Sequence, residues 1–411
     1  MKILRDPLLF LSSTLLSATG FAADWHQFRG PTGMGVAEGA VPSKWSQSSI
    51  VWKSEIPGQG QSSAVNWGPK LFVTTASEKG AVRTLLCLDK DNGKLIWRRD
   101  VTSDRKESQH KMNSWATASA ATDGECVVAF YGPAGIHCYD LEGEKLWSRD
   151  LGQFPGDWGV AASPIIIGQQ VIQNCDAIGP SRLVSLDKKT GKILWETKRD
   201  DKPRGGWSTP ILIKTKANEQ LVLNGEFGAK GYDLAKGKEL WFCKSFNGRG
   251  APVPFFSDGL IYVVNGKPGD LYVVNPKGAL GDVTKTHMAW HAKRNGGRDL
   301  PSPAVIGKFV LVTAMGGVTT CYEAKTGKTL WVDRLEGSFS GSPLVANGLY
   351  YIQSESGATY VIRPNDKDID IVARNQVGSS EGEIFRATLA PIDGKVYTRS
   401  QATLYCLKGE N

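Results

Sequence analysis

The sequence predicts an all-β protein, an eight-bladed β-propeller built from four-stranded antiparallel blades. Three observations carry this prediction: a nine-residue motif recurs along the chain, its copies end 41 to 50 residues apart, and short apolar segments alternate with Gly, Asp and Asn turns. The 411 residues are 41% hydrophobic and 22% charged, as in a globular protein, and the 47 glycines suit a fold with many tight turns. Repetition of one supersecondary unit therefore organises the whole chain.

The repeated motif is clearest at residues 187–195, "DKKTGKILW", and returns in altered form at 89–97, 140–147, 233–241 and 323–331. Its acidic residue can accept hydrogen bonds from the amides of a turn, and its Gly supplies the positive φ of a tight hairpin. The Trp that ends it lies on the outermost strand of a blade, where its ring can be buried against the next blade. The tryptophans predicted to dock the blades in this way are Trp52, Trp97, Trp147, Trp195, Trp241, Trp290 and Trp331.

The count of eight follows from the two ends of the chain. A typical unit, residues 159–198, contains four short strands and no amphipathic helix. A seventh unit ends near Ala373 without its Trp, and the unit after it contains only three strands. The missing fourth strand, with a Trp, is residues 48–56. The N-terminal strand is therefore predicted to complete the C-terminal blade and close the ring.

Three segments are expected. Residues 1–22 read as a cleaved signal peptide, because Lys2 and Arg5 precede an apolar run and small residues, Gly20 and Ala22, precede the predicted cut. Residues 23–43 form an N-terminal lead-in and residues 44–411 the propeller. No later segment has the roughly 18 apolar residues of a transmembrane helix. A soluble monomer, periplasmic or secreted, is the expectation.

The distribution of charge limits the class of binding partner. The net charge of +8 comes from basic residues that are scattered along the chain, so the sequence does not predict nucleic-acid binding but is compatible with an anionic partner.

Seven cysteines in an exported chain raise the question of disulfides. Four of them, Cys87, Cys138, Cys321 and Cys406, occupy the same position of the repeat. They are therefore predicted to be small buried packing residues.

The pattern "TGKxLW" preceded by "LxxLD" resembles the repeat of the pyrroloquinoline-quinone-like (PQQ-like) β-propellers. That family includes the quinoprotein alcohol dehydrogenases and BamB, the propeller scaffold of the bacterial outer-membrane barrel assembly machine. The chain is similar to exported bacterial members without an assigned activity, in "WHQFRGPTGMG" (residues 25–35), "HKMNSWATASAATDGE" (110–125), "GDVTKTHMAW" (281–290) and "LYCLKG". The resemblance covers residues 24–411 and supports the fold more than any activity.

A quinoprotein would hold its quinone over a Trp floor, often beside a disulfide of adjacent cysteines, with calcium bound by Glu and Asn next to a catalytic Asp. This chain has no adjacent cysteines and no evident long loops over the funnel. The loop carboxylates Asp157, Asp299, Glu381 and Glu383 do not mark such a set. Of the five histidines only His287 and His291 have the spacing of a metal-ligand pair, and these two flank Trp290 in a hairpin and are expected to be surface residues. The sequence therefore predicts no PQQ, calcium or other metal and no catalytic residue. A quinone-dependent dehydrogenase, or another periplasmic enzyme using the funnel carboxylates, stays as the alternative.

The leading hypothesis is a non-enzymatic scaffold that binds a protein, a peptide, or an anionic or sugar-like ligand at its funnel. The loops that enter the innermost strands meet there and supply arginines and tryptophans from several blades. The candidate ligand-binding residues are Asn113, Trp115, Asp157, Trp158, Arg204, Trp207, Arg249, Arg298, Asp299 and Arg386. The competing interpretation is that these arginines pair with neighbouring carboxylates and only tie blades together.

Overall fold

The computed structural model confirms the all-β, eight-bladed β-propeller. It describes residues 24–410 except 200–202, 216–217, 245–248, 266–268, 295–297, 299 and 379–381. Within these residues, eight sheets each contain a four-stranded antiparallel blade. Residues 1–22, which carry the predicted signal peptide, lie outside the described part. No helix in the described ranges has the length and apolar character needed to cross a membrane.

The strands follow the chain from the innermost to the outermost position of each blade. Blades 1 to 4 contain Val65–Trp67, Lys70–Ser77, Val82–Asp89 and Leu95–Thr102; Ala121–Thr122, Cys126–Phe130, Ile136–Asp140 and Lys145–Arg149; Ile165–Ile167, Gln170–Asn174, Arg182–Asp187 and Ile193–Lys198; Ile211–Lys214, Glu219–Asn224, Gly228–Asp233 and Glu239–Lys244. Blades 5 to 7 contain Phe255–Ser257, Leu260–Asn265, Asp270–Val274 and Met288–Ala292; Ala304–Ile306, Phe309–Thr313, Val318–Glu323 and Thr329–Arg334; Leu344–Ala346, Leu349–Gln353, Ala358–Arg363 and Asp370–Gln376. Blade 8 contains Ala390–Ile392, Lys395–Arg399, Thr403–Leu407 and Ile50–Glu55.

Two short strands and three 3₁₀ turns complete the described secondary structure. Gly281–Asp282 adds a parallel strand to the outer edge of blade 4, and Val36–Ala37 adds one to the inner edge of blade 7. The 3₁₀ turns span Gln47–Ser49, Glu78–Gly80 and Gly132–Ala134.

The ring closes as the sequence predicts. Ile50–Glu55 pairs antiparallel with Thr403–Leu407, and Trp52 lies opposite Cys406. A backbone hydrogen bond of 2.9 Å from Glu410 to the carbonyl of Lys44 holds the two ends of the chain together. The strand from the N-terminal side thus occupies the outer position that every other blade fills from its own repeat.

Each repeated turn receives the Trp of the preceding blade. The indole nitrogen of Trp147, for example, donates to the carbonyl of Lys188 in blade 3, and a β-carbon on Gly191 would lie 2.5 Å from the indole ring. Gly191 also has a φ of +65°, so glycine meets two requirements at once. Five further tryptophans donate to a carbonyl of the next blade: Trp52, Trp97, Trp195, Trp290 and Trp331.

Trp241 departs from this arrangement. It packs between blades 4 and 5 beside Ala279 and Val283, but its indole nitrogen donates to the side chain of Gln220 in its own blade, at 2.8 Å. The reason is local: a longer connection replaces the tight turn in blade 5, and its segment Gly281–Asp282 covers the outer strand of blade 4.

The missing Trp at Ala373 also has a structural reason. Blade 8 takes its outer strand from the N-terminus, so it has no covalent turn that could receive a ring from blade 7. Trp45 fills the seam instead. Its ring stacks parallel to that of Tyr351, with centroids 6.5 Å apart, and its backbone amide donates to the side chain of Asn375.

All seven cysteines are free and buried. Burial raises the thiol pKa of Cys87, Cys175, Cys243, Cys321 and Cys406, so these side chains are neutral thiols that pack as small apolar groups.

The lead-in crosses the end of the central channel opposite the funnel. Trp25 and Asn66 exchange hydrogen bonds at blade 1, the carbonyl of His26 accepts from Thr122 at blade 2, and the carbonyl of Gly35 accepts from Val345 at blade 7. The contacted residues lie at or next to the far ends of innermost strands. The lead-in is therefore a plug across the channel.

Candidate functional site

A cavity of about 180 Å³ occupies the funnel end of the channel. Its walls come from the segments that enter the innermost strands, and extended segments turn every second residue to the same side. In blade 5 this side carries Arg249, Ala251 and Val253, and in blade 6 it carries Arg298 and Ser302. Charged residues therefore lie at the mouth and small or apolar residues below them.

A collar of hydroxyl groups rings the channel at the level of Ser63. Backbone amides donate to hydroxyls of the next blade, from Ser63 to Ser119 (2.8 Å), Ser119 to Ser163 (2.9 Å), Ser163 to Thr209 (3.0 Å), Val253 to Ser302 (2.9 Å), Ser302 to Ser342 (3.2 Å) and Thr388 to Ser63 (3.0 Å). These bonds satisfy amides that would otherwise be buried without a partner. The hydroxyl collar thus ties the blades to one another, and Phe28 of the lead-in closes the cavity from the far end.

Three cationic or titratable side chains surround the ring of Trp158 at the mouth. The guanidinium carbons of Arg249 and Arg298 lie 4.7 and 5.0 Å from a ring centroid of Trp158, within cation–π distance. His110 stacks on the same side chain, with ring centroids 3.9 Å apart. Neither Arg249 nor Arg298 forms an ion pair with a described residue, and Nε of Arg249 is buried without a hydrogen-bond partner.

In this cationic cluster, Arg249, Arg298, His110 and Trp158, the arginine charges lower the pKa of neighbouring groups. Burial lowers the pKa of Arg249, and the charge of Arg298 lowers it further. Burial also lowers the pKa of His110, followed by the charges of Arg298, Lys111 and Arg249. Glu226, which pairs with Arg204, offsets the charge of Arg249 only in part. Like charges that are held together without an ion-paired carboxylate of their own are typical of an anion-binding site.

Arg386, although it lines the same cavity, is already paired. Its guanidinium donates from Nε to Glu355 at 2.9 Å and from Nη1 to the carbonyl of Lys111 at 3.2 Å. The amide of Gln61, with its nitrogen turned toward Met112, accepts from Arg386 at 3.2 Å. Arg386 therefore holds parts of the mouth together, as the competing interpretation of the sequence expects.

A long loop, residues 103–120, lies over the mouth. Met112 at its tip has its sulfur 3.6 Å from Nη1 of Arg298, and Asn113 donates to the carbonyl of Trp158 at 2.7 Å. An ion pair from Arg83 to Glu107, buried on both sides, anchors the base of the loop. The expectation that no long loop covers the funnel is therefore wrong. The number of residues between two predicted strands shows the length of a loop but not the direction in which it folds over the blades.

The other candidate residues lie in different surroundings. Asn113 and Trp207 line the cavity, and the indole nitrogen of Trp207 donates to the carbonyl of Gly159. Trp115 does not line it, because its ring lies against Gly80 of blade 1. Asp157 is exposed outside the cavity, and Asp299 lies outside the described residues.

Arg204 also lies apart from the cluster. It pairs with Glu226 at 2.6 Å, with its own side chain well exposed, and does not line the cavity. Of the four arginines that the sequence brings to this face, two are thus paired with carboxylates, and the other two form no ion pair with a residue that the structure describes.

Sequence reasoning missed the hydroxyl collar and the lead-in plug. A Ser or Thr at the same position of almost every innermost strand, as in "SSAV", "ASPI", "PSPA" and "GSPL", was a signal for the collar. For Phe28 the repeat pattern held no signal, because the residue belongs to no repeat.

The quinoprotein resemblance implies a site for PQQ and calcium, which can be tested on the donor set. The cationic cluster suits the carboxylates of a quinone, and Trp158 suits its ring. Calcium, however, requires carboxylate oxygens. Among the described residues that line the cavity none is acidic, and the described part of the chain contains no group of His, Cys, Asp and Glu side chains suited to a metal. The residues described do not fit the calcium-dependent set.

Solved structures share the fold of this chain at low identity. BamB from Moraxella catarrhalis superposes with a TM-score of 0.63 and 14% identity, over 88% of this chain and 98% of that one. A quinohemoprotein alcohol dehydrogenase from Comamonas testosteroni gives 0.65 and 11%, over 94% of this chain and 81% of that one. At these identities the superpositions show the fold alone.

Curated relatives match over short stretches. A polyvinylalcohol dehydrogenase from Pseudomonas is 25% identical over 194 residues, 40% of this chain and 29% of the relative. BamB from Francisella salina is 27% identical over 106 residues, 26% of this chain and 18% of the relative. The chain thus spans less than a third of the length of each, and both kinds of propeller appear among its relatives.

The family model described as outer membrane protein assembly factor BamB matches residues 44–222 and 281–405. The gap between the two matches contains Trp241, where the docking of blades departs from the repeat. Together the matches cover well over half of the chain, which therefore belongs to this family of PQQ-like β-propellers.

Proposed function

We propose that this protein is an exported, non-enzymatic scaffold that captures an anionic ligand, or an anionic group of a partner protein, at the mouth of its funnel. The observation that carries the proposal is the pair Arg249 and Arg298 on Trp158. Two guanidinium groups lie within 5.0 Å of a ring centroid of the same indole, and neither forms an ion pair with a described carboxylate. A location outside the cytoplasm is consistent with the matching family model, which is described as an outer membrane protein assembly factor.

The pairing of the other two arginines supports this reading. Arg204 and Arg386, which pair with Glu226 and Glu355, show that the funnel can neutralise an arginine with a carboxylate where the arginine has only a structural role. Removing charged groups from water without a partner costs free energy, so an unpaired cluster is an arrangement that a ligand would relieve. An anion bound there would accept charge-assisted hydrogen bonds from planar guanidinium groups.

The alternative function, a quinone-dependent dehydrogenase, is favoured by the relatives and by the cationic, aromatic mouth. It is tested by adding PQQ and calcium to the purified protein and measuring quinone absorbance and dye-linked alcohol oxidation. Oxidation that depends on both additions would replace the scaffold proposal. Quinone binding without oxidation would instead identify one anion that the mouth accepts.

Capture is tested with envelope extract from the source organism. The double variant Arg249→Glu/Arg298→Glu should lose bound material that the wild type retains, and the loss should be largest at low salt, where screening is weakest. The control is Lys53→Glu/Lys192→Glu, which changes the net charge equally at two exposed positions, one on an outer strand and one in the turn that precedes an outer strand. Equal capture by all three proteins at both salt concentrations would refute the proposal.

A further inference from the structure

The interior of the cavity differs in chemistry from its mouth. Below the cationic cluster the walls are Ala161, Ala251 and Leu300, and the bottom is Val253 with Phe28 of the lead-in. None of these side chains carries a hydrogen-bonding group. An anion that stayed at the mouth would leave this apolar space to water.

The hydroxyl groups of the collar do not change this character. Oγ of Ser63 accepts from the amide of Thr388 and bonds to its hydroxyl, and Oγ of Ser302 accepts from the amide of Val253 and from Ser342. These hydroxyls already have partners within the protein. The interior is therefore better matched to an apolar group than to a sugar with several hydroxyls that need new partners.

The size of the cavity limits that group. At about 180 Å³ it is close to an engineered apolar cavity of roughly 150 Å³ that takes up benzene. One aromatic ring or one branched aliphatic side chain fills such a space. The guanidinium carbons of Arg249 and Arg298 lie over the ring of Trp158, and N–H groups that do not contact the ring can donate to an anion.

We propose that the ligand is a carboxylate that carries a single apolar group of about one ring, with the carboxylate at Arg249 and Arg298 and the apolar group between Ala251 and Leu300. This inference rests on the proposed capture of anions and specifies its chemistry. A free aryl-alkanoate and the C-terminal residue of a peptide both have this chemistry. In the second case the rest of the peptide would leave through the mouth beside Met112.

Isothermal titration calorimetry with simple probes tests the proposal. The small probes are acetate, 3-phenylpropionate and 3-phenylpropionamide. Phenylpropionate should bind about tenfold or more tightly than acetate, because the ring leaves water. It should also exceed the amide by about tenfold, because the amide removes the charge that the arginines recognise. An acetylated pentapeptide ending in Phe, as free acid and as amide, distinguishes the two sources.

Variants locate the binding. Ala251→Leu fills the apolar space and should weaken phenylpropionate more than acetate, whereas Arg249→Gln should weaken both acids. Lys53→Gln is the matched control for the loss of one positive charge, because Lys53 is exposed on the outer strand Ile50–Glu55 and does not line the cavity. Circular dichroism melting checks that each variant is folded.

The outcomes separate this inference from the function on which it rests. Acetate binding as tightly as phenylpropionate would overturn the apolar requirement and leave anion capture standing. Absence of binding by both acids at millimolar concentration would also overturn it, and the envelope-extract experiment would then judge anion capture independently. Binding of the small acid without the peptide acid supports a free aryl-alkanoate, and binding of both supports a peptide terminus.

Discussion

The indole nitrogen of Trp147 in blade 2 lies 2.6 Å from the carbonyl oxygen of Lys188 in blade 3. This contact shows why the chain repeats its motif, since the Trp of one copy donates a hydrogen bond to the turn of the next copy. Gly191 in that turn lies under the ring. Two positions of the motif, about forty residues apart in the chain, therefore depend on each other.

Trp147→Ala should lower the free energy of unfolding by about 3–5 kcal/mol, as for other large buried aromatics. Gly191→Ala should be strongly destabilising in the wild type, because its β-carbon would meet the ring. In the Trp147→Ala background it should cost only the backbone strain of about 1–2 kcal/mol. Chemical denaturation of the four proteins measures the coupling, and additive effects would show that the ring does not rest on the turn.

Removal of residues 24–56 should abolish a soluble monomer. Without Ile50–Glu55, the strand Thr403–Leu407 has an unpaired edge that can pair with other copies. Addition of the separate fragment 24–56 during refolding should restore a monomer by size-exclusion chromatography. A soluble, monomeric truncated protein with unchanged melting would contradict the closure of the ring.

Arg249 and Arg386 should respond differently to truncation. Arg249→Ala relieves repulsion with Arg298 but loses the cation–π contact with Trp158, so the unfolding free energy should change by less than about 1 kcal/mol. Arg386→Ala leaves the largely buried Glu355 without its partner and should cost roughly 1–3 kcal/mol. Thermal melting of both variants measures this difference, and an equal loss in both would mean that Arg249 serves stability.

Anion binding should strengthen as the pH falls from 7 to about 5.5. Burial and the charges of Arg298, Lys111, Arg249 and Arg386 lower the pKa of His110 below its ordinary 6.5, so the ring is neutral at pH 7. A bound carboxylate offsets those charges, raises the pKa of His110 and draws in a proton. By linkage, affinity must then rise as the pH falls.

Calorimetry in two buffers of different ionisation enthalpy measures the proton uptake directly. His110→Gln should remove both the uptake and the pH dependence. An affinity that falls toward acid pH in the wild type would contradict this assignment.

The sequence could predict what the repeat encodes and little of what interrupts it. Blade number, ring closure and the docking tryptophans follow from a period in the chain, and they agree with the structure at Trp52 and Trp147. Trp45 was overlooked because it replaces a Trp that blade 7 lacks. It lies outside the repeats, so the period of the repeat does not indicate its role. The geometry of Trp241 depends on an insertion in blade 5.

The sequence could predict which arginines lie on the funnel face, but not which of them are neutralised by a carboxylate. The order of strands places every entering loop at the funnel, so Arg204, Arg249, Arg298 and Arg386 were all expected there. Which of them is neutralised depends on carboxylates such as Glu226 and Glu355, which lie 22 and 31 residues from their partners in the chain. Such pairs form through tertiary structure, and a single sequence does not indicate them.

The pairing of Ile50–Glu55 with Thr403–Leu407 also has a consequence for the order of folding. A chain that emerges N-terminus first produces the strand Ile50–Glu55 early and its partner Thr403–Leu407 late. Neighbouring blades can form from local hairpins as they appear, but closure must wait until Thr403–Leu407 has emerged, and contacts so distant in sequence form slowly. A chain that stops before Thr403 would remain an open arc. A closed ring therefore reports that the strand Thr403–Leu407 has been synthesised.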